Sequence, residues 1–411
     1  MAVMSEKPRP WLSLIGIGED GRAGLSPLAL DLLNDAHFVL GGARHLALAG
    51  PLKAECRVWP SPLTDALPML QARRGTPVCV LASGDPFFYG VGSLIARTFP
   101  VEEISCLPMP SAFSLAAARL GWPLQDCRLI SLHGRPFERI IPELQPGAKI
   151  LCLAWDGSTA PRLAALLRER GFGASRIIVL EAMGGPNEHI WECRADALEP
   201  RDIAPLNLVA LNIVAEDQAQ ILPLGSGLED SWFEHDGQIT KREIRAEALS
   251  ALAPHRGALL WDIGAGSGSI GIEWMLLDPA NKTIAIESRA DRAERISRNA
   301  RALGVPDLIV VQGKAPEALA NLPRPDGIFI GGGASQPGLI EQALAALPKG
   351  GRLVVHAVTL ETEATLFHHY QALGGDLIRL AISRIDRLGG FHTWRPALPI
   401  VQWSFTKGKA P

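Results

Sequence analysis

An apolar run that stops at an acid and then at three alternating glycines limits this chain more than any other feature: Trp261-Asp262-Ile263-Gly264-Ala265-Gly266-Ser267-Gly268-Ser269. The pattern predicts a strand ending in a tight turn that opens directly into a helix. Glycine lets the backbone turn sharply and approach a ligand closely, and the helix N-terminus offers free N–H groups. The next apolar run ends at Glu287, within the roughly 20–25 residues over which an acid on the following strand reaches ribose hydroxyls. Seven runs in this half read as strands: 258–263, 282–287, 308–312, 327–330, 352–357, 377–385 and 400–405. Helical patterns separate the first six. Five β-α units, then two strands joined without a helix, predict a seven-stranded sheet whose last strand is antiparallel.

A G-x-G-x-G string alone also serves dinucleotide enzymes, and a tight turn without a ligand has the same look. Here Asp262 stands directly before the glycines. An acid there repels a pyrophosphate but suits the positively charged methionine end of S-adenosylmethionine (SAM). The expected contacts are Asp262, Gly264, Gly266, Gly268 and Glu287. With the predicted sheet, this is the Rossmann-like fold of class I SAM methyltransferases, an analogy at the level of fold. After the fourth strand, enzymes that methylate nucleic-acid amino groups usually carry Asn/Asp-Pro-Pro-aromatic. This chain has Phe329-Ile330-Gly331-Gly332-Gly333-Ala334, an open floor that suits a bulky substrate better than one flipped base.

The chain is 411 residues long, and one core rarely grows past roughly 250–300 residues, so at least two domains are expected. Strand-like PLNLVALNIVA gives way to polar EDQAQ and then to LPLGSGLEDSWFEHDG. This break places a linker at 216–236, between domains 1–215 and 237–411. In the first half, strands are predicted at 11–17, 78–82, 128–132, 150–154, 176–181 and 208–214, with a proline-stiffened hinge at 107–110 between lobes of about 1–108 and 111–215. Two glycine loops follow strands here. Gly16-Ile17-Gly18-Glu19-Asp20-Gly21 is a weak dinucleotide signal, because the next helix starts late, at the cap pair Ser26-Pro27. Ala82-Ser83-Gly84-Asp85-Pro86-Phe87-Phe88-Tyr89-Gly90 could be a plain β-turn, but its length argues for more.

These segments carry a family resemblance. IGIGEDG, LASGDPFFYG and PMPSAFSLAAARLGWPLQD followed by LHGR resemble the tetrapyrrole methylases of the cobalamin pathway. GQITKREIR, WDIGAGSGSIGIE, GKAPEAL and IFIGGG resemble that pathway's decarboxylating class I methyltransferases. The loop at 391–395 is less diagnostic. Both sets in this order cover nearly the whole chain. The resemblance implies an N-terminal two-lobed methylase domain that methylates a precorrin at C5. It also implies a C-terminal domain that methylates C15 and removes CO₂ from the C12 acetate, giving precorrin-8. Each domain would use its own SAM. The first SAM would lie between the lobes against Ser83, Gly84, Asp85 and Phe88, with Ser111 and Ala112 across the hinge.

Tetrapyrrole carbons are already nucleophilic, so methyl transfer needs alignment rather than a strong base; positioning alone supplies effective molarities of about 10⁵ M or more. Decarboxylation needs cations on the retained carboxylates and a poorly solvated departing one. Lys241, Arg242 and Arg245 are candidates, although Thr240 and Glu243 have capping-box spacing, with Ile239 and Ile244 at staple positions, so this segment also reads as a plain helix start. His392 is a candidate proton donor, or an ordinary loop histidine.

The net charge of −3 argues against a nucleic-acid footprint. The alternative of a fused RNA methyltransferase therefore lacks its basic surface, and intact motifs in both halves speak against a SAM-binding protein with one degenerate half. The six cysteines, none spaced C-x-x-C, read as reduced, mostly buried thiols, and no metal site is expected. No signal peptide or membrane span is apparent, so a cytoplasmic protein is expected, self-associating as a homo-oligomer.

Overall fold

The structure, a computed structural model, describes residues 10–408; the first nine residues of the segment read above as carrying no signal peptide lie outside the described residues. The chain divides into two compact units. One comprises the residues up to Arg135 together with Gln145–Gln220, the other Pro136–Leu144 together with the residues from Ile221 on.

The first unit holds two five-stranded sheets. The first is formed by β1 (Leu12–Ile17), β2 (Phe38–Gly41), β3 (Glu55–Val58), β4 (Val78–Ser83) and β5 (Ile104–Leu107), with helices α1 (Pro27–Asp35), α2 (Ala43–Ala49), α3 (Leu67–Gln71) and α4 (Gly92–Ala96) between them. Its order is β3-β2-β4-β1-β5, all parallel. Residues of β1 are buried on both faces, which explains its unbroken apolar sequence. From β1 the chain leaves toward β2 and from β4 toward β5, in opposite directions, so the carboxyl ends of β1 and β4 flank the crevice where open parallel sheets bind ligands. As expected, α1 starts at Ser26-Pro27: Ser26 Oγ accepts from Ala29 N at 3.2 Å.

The second sheet follows α5 (Ala112–Leu120). It comprises β6 (Cys127–Ser131), β7 (Lys149–Leu153), β8 (Arg176–Glu181), β9 (His189–Arg194) and β10 (Asn207–Asn212), with α6 (Thr159–Glu169) between β7 and β8. Its order is β6-β7-β10-β8-β9, parallel only between β6 and β7. Four strands of this unit, β2, β3, β5 and β9, were not expected from the sequence.

The second unit contains α7 (Arg242–Leu252), β11 (Leu259–Ile263), α8 (Ser269–Leu277), β12 (Lys282–Glu287), α9 (Ala290–Ala302), β13 (Ile309–Gln312), β14 (Gly327–Ile330) and α10 (Leu339–Ala346). These are followed by β15 (Arg352–Ala357), α11 (Leu360–Leu373), β16 (Asp376–Leu380), β17 (Ser383–Leu388), β18 (Phe391–Pro396) and β19 (Ile400–Thr406). The expected seven-stranded sheet is present, ordered β13-β12-β11-β14-β15-β19-β16, with β19 antiparallel to both neighbours. One face buries Ile263, Ile286, Ile328, Ile330 and Val355 against Leu339 and Ile340 of α10 and Leu366 of α11. Each such side chain contributes about 1.5–3 kcal/mol relative to exposure.

Two readings of this half are corrected. The run at 377–385 is two strands, β16 in the main sheet and β17 outside it. Residues 391–395 are not a loop but part of β18, which pairs with β17 in a separate hairpin.

The stretch read as a linker is ordered from Ile221 on. Leu222, Leu228 and Phe233 are buried, and Gly227 N and Leu228 N donate to the Glu273 carboxylate at 2.6 and 3.0 Å. Pro136–Leu144 is also part of the second unit: Arg139 pairs with Asp307, and a side chain at Gly304 would meet Glu138 O at 3.0 Å. All six cysteines are free thiols; Cys79 and Cys152 are buried and Cys56 is exposed. Among the described residues, no helix is long and apolar enough to cross a membrane.

Candidate functional site

In the second unit, the chain runs from β11 toward β12 and later enters β14 on β11's other side, so the ends of β11 and β14 flank the reversal in strand order. The glycine turn stands there. Gly264, Gly266 and Gly268 have φ of +70°, +60° and +78°, a region that favours glycine. A Cβ at Gly264 would lie 3.1 Å from Gly332 N, and one at Gly268 would lie 2.8 Å from Ile296 Cγ2. Gly332 itself faces open space, whereas Gly331 packs against the Phe329 ring, so the expected open floor is made by Gly332 and Gly333.

Glu287, at the end of β12, accepts from Gly266 N at 2.9 Å and Arg289 N at 3.0 Å, which ties the acid to the turn. Asp262 is 1% exposed. Its Oδ2 accepts from Gly271 N at 3.0 Å, while Oδ1 has no partner in the protein; buried Ser267 Oγ also has none. Burial, with Glu287 adding negative charge, pushes the Asp262 carboxyl up to about 7. A buried acid with a spare oxygen is compensated by a cation. The site therefore fits the positive end of SAM, with Asp262 and Ser267 as polar partners and the glycines as a cradle.

The cations before β11 divide sharply. Arg245 is fully buried: Nε donates to Glu273 at 2.5 Å, Nη1 to Asp230 at 3.2 Å and to Thr240 O, and Nη2 to Leu228 O. This corrects its reading as a substrate contact, because its donors hold the entering segment in place. Lys241 is 46% exposed, and its ammonium pairs with Asp230 Oδ2 at 3.2 Å. The capping box is also corrected. Lys241 is the N-cap, with no side-chain cap, and Glu243 instead takes Arg384 Nη2 at 2.6 and 2.8 Å. His392 lies on exposed β18, opposite Arg387 in the hairpin.

In the first unit, the loop after β4 meets the hinge. Met109 N donates to Gly84 O at 3.0 Å, and Gly84, at φ +54°, leaves no room for a Cβ, which would lie 2.8 Å from Pro110 O. Asp85 Oδ1 accepts from Phe87 N at 2.8 Å and closes its own turn. The Phe88 ring lies tilted against buried Phe113, just inside α5, with centroids 5.1 Å apart, and Tyr89 Oη donates to Leu129 O of the second sheet at 3.2 Å. Ser111 caps α5, its Oγ accepting from Ser114 N at 3.2 Å, and Ala112 is half-buried beside it. The structure thus brings the loop of Ser83, Gly84, Asp85 and Phe88 against the hinge and the start of α5, where Ser111 and Ala112 stand: Gly84 meets Pro110 and Ser111, and Phe88 meets Phe113. Sequence reasoning missed Arg44 and His45, which start α2 and reach Ser83 Oγ at 2.7 and 2.8 Å. The available signal was Gly41-Gly42-Ala43-Arg44-His45, a glycine break with cationic residues after the apolar Phe38-Val39-Leu40.

Comparison with known proteins adds the following. Residues 12–199 match the family of tetrapyrrole (corrin/porphyrin) methylases, and residues 231–407 match a precorrin methyltransferase domain. Over 400 residues the chain is 55% identical to the precorrin-6Y C(5,15)-methyltransferase (decarboxylating) of Sinorhizobium sp, covering 97% of each chain. Two shorter relatives each match less than half of it. A cobalt-precorrin-7 C(5)-methyltransferase of Salmonella typhimurium is 32% identical over 44% of this chain and 88% of its own. A probable cobalt-precorrin-6B C(15)-methyltransferase (decarboxylating) of Pyrobaculum calidifontis is 34% identical over 42% of this chain and 92% of its own.

Proposed function

Because this chain belongs to the precorrin-6Y C(5,15)-methyltransferase (decarboxylating) family, we propose that each of its two units carries its own SAM site and one half of the reaction. The protein is a decarboxylating precorrin methyltransferase of cobalamin biosynthesis. In the proposed division, the first unit methylates C5; the second methylates C15 and removes CO₂ from the C12 acetate, giving precorrin-8. The observation that carries this reading is that both units place a glycine-opened turn at a reversal of strand order. The single-activity relatives of about half the length support the same division.

When bound, SAM supplies the electrophilic methyl group. In the second unit, Asp262 holds its positive end, Glu287 takes the ribose hydroxyls, and Gly264, Gly266 and Gly268 let the backbone approach. Gly332 and Gly333 leave room for the macrocycle. Lys241 neutralises a retained carboxylate, and His392 supplies the proton that replaces CO₂. In the first unit, Ser83, Gly84, Asp85, Phe88, Ser111 and Ala112 line the cofactor crevice. Neither transfer requires a strong base, so the residues act by alignment.

The domains divide near 216–220, with 221–236 as the entry to the second. The chain is cytoplasmic and self-associates. Support for self-association comes from the β17–β18 hairpin, which leaves Ile385, Leu388, Phe391 and Trp394 65–80% exposed and is too small to stand alone. Mass spectrometry of the product formed from precorrin-6B and SAM tests the function: two methyl gains and one CO₂ loss are expected. A product with a single methyl gain would reject the two-site reading.

A further inference from the structure

Of the motifs in the first half, Leu132-His133-Gly134-Arg135 takes no part in the cofactor contacts. It leaves β6 at the end where β7, parallel to it, also ends. Gly134, at φ +66°, turns the chain there, and Arg135 N donates to Leu132 O at 3.2 Å. The Arg135 guanidinium lies over the Tyr89 ring, 5.0 Å from its centroid. Elsewhere in the first unit, Arg44, Arg74, Arg119, Arg176 and Arg194 each pair with a carboxylate. Arg135 is exposed, and among the described residues it has no carboxylate partner; its charge rests on a ring face. Stacking covers one face of a guanidinium and leaves the N–H groups on its edge free, in the fork that matches a carboxylate.

Tyr89 carries a cost that its turn alone does not explain. Its φ is +55°, a region that favours glycine. The conformation is held by Oη donating to Leu129 O at 3.2 Å and by the Phe88 and Phe113 rings, whose centroids lie 5.2 and 5.9 Å away. A bulky residue kept in such a conformation marks a place where the side chain itself is needed. Two residues before Arg135, the His133 ring lies 6.3 Å from that of Trp155, which follows β7 and is 51% exposed. An unpaired cation thus stands among exposed aromatic side chains, and Tyr89 joins it to Phe88 of the cofactor loop.

We propose that Arg135 binds a carboxylate arm of the precorrin in the first unit, and that Tyr89 is the positioning residue that holds its guanidinium. This rests on the reading that the first unit methylates C5. A precorrin is a broad macrocycle edged by acetate and propionate arms, so it meets both the aromatic side chains and the cation. SAM also carries a carboxylate, but its ammonium and sulfonium make it cationic as a whole, and a lone guanidinium repels it. A precorrin is anionic, and its charge complements Arg135.

The test is the initial rate of labelled-methyl transfer to C5 by the full-length chain, with precorrin and SAM varied in turn. Arg135→Ala should raise the KM for precorrin about tenfold or more, the size expected of a charged hydrogen bond. The KM for SAM and the C5 rate at saturating precorrin should stay within about twofold, as expected when only substrate binding is lost. That result also reports an intact first unit. Tyr89→Gly relieves the backbone at φ +55° but removes the ring, and should raise the KM for precorrin several-fold. Tyr89→Phe keeps the ring and should stay near the wild-type value. The reverse order, with glycine the better tolerated, would show that Tyr89 serves only its turn and would overturn its positioning role. An unchanged KM for precorrin in Arg135→Ala would overturn the proposal, and so would a rise for SAM as large or larger. Gly84→Val tests the underlying reading separately: if that variant still labels C5 at the wild-type rate, the first unit is not the C5 enzyme. Equilibrium titration of precorrin against wild type and Arg135→Ala then still reads the guanidinium, and equal affinities would reject it.

Discussion

The two glycine turns occupy equivalent places, each at a strand-order reversal between parallel strands, yet their acids are treated in opposite ways. Asp262 is buried with one oxygen unpartnered and its carboxyl pushed up to about 7. Asp85 is spent on its own turn, through Phe87 N at 2.8 Å. The second site thus holds a buried carboxylate oxygen left for a cation to complete, whereas the first is built sterically, by glycines that let the hinge and the loop touch. An acid beside a glycine turn does not carry one fixed meaning; its burial and its partners decide.

The largest expected break follows from the steric site. Gly84→Val forces a side chain into φ +54° and against Pro110 O, so C5 methylation should fall at least a hundredfold, while C15 methylation, measured in the same reaction, persists. Asp85→Ala should also stop C5 methylation by opening the turn. Asp85→Asn keeps the accepting oxygen and should retain a measurable rate; equal loss in both variants would show that the charge, not the turn, matters. In the second unit, Glu287→Ala removes an acceptor worth about 1.5–3 kcal/mol. SAM affinity there should fall about 10–100-fold by calorimetry, with C5 methylation intact.

A smaller effect sharpens the electrostatic side of the comparison. The Asp262 carboxyl is raised in the folded chain, so folding favours its protonated form and ionisation costs stability as pH rises through about 7. A bound cation reverses this preference. SAM affinity at the second site should therefore increase from pH 6 to pH 8, and Asp262→Asn should flatten that profile. A wild-type profile already flat over this range would remove the argument for a cation beside Asp262. Smallest of all, Lys241→Ala should raise the KM for precorrin about twofold without altering SAM binding, since its ammonium is largely solvated.

The seven-stranded sheet of the second unit was nearly fully legible because most of its strands are buried and apolar: 282–287, 327–330 and 352–357 have the same bounds in sequence and structure. Of the missed strands, β3 and β9 lack that signal for a physical reason, whereas β2 is buried and apolar but only four residues long. All four residues of β3 are exposed and β9 is mostly so, as edge strands can be, while the hairpin buries neither face and shows no period against a core. At the sites, Asp262 and Glu287 were legible from spacing, since the strand-turn-helix geometry is local. Arg245 was not, because a charged residue gives no sign in sequence that it will be buried on a glutamate 28 residues away. Arg44 and His45 were missed for the same reason, since their partner Ser83 lies on a strand 38 residues or more further along.

The central claim is that the chain holds two independent SAM sites, one steric and one electrostatic. Calorimetric titration of SAM into the wild-type chain, Gly84→Val and Glu287→Ala tests it directly. The account predicts two sites in the wild type, loss of the first-unit site alone in Gly84→Val, and weakening of the second-unit site alone in Glu287→Ala. A single site in the wild type, or loss of both sites from either substitution, would contradict it.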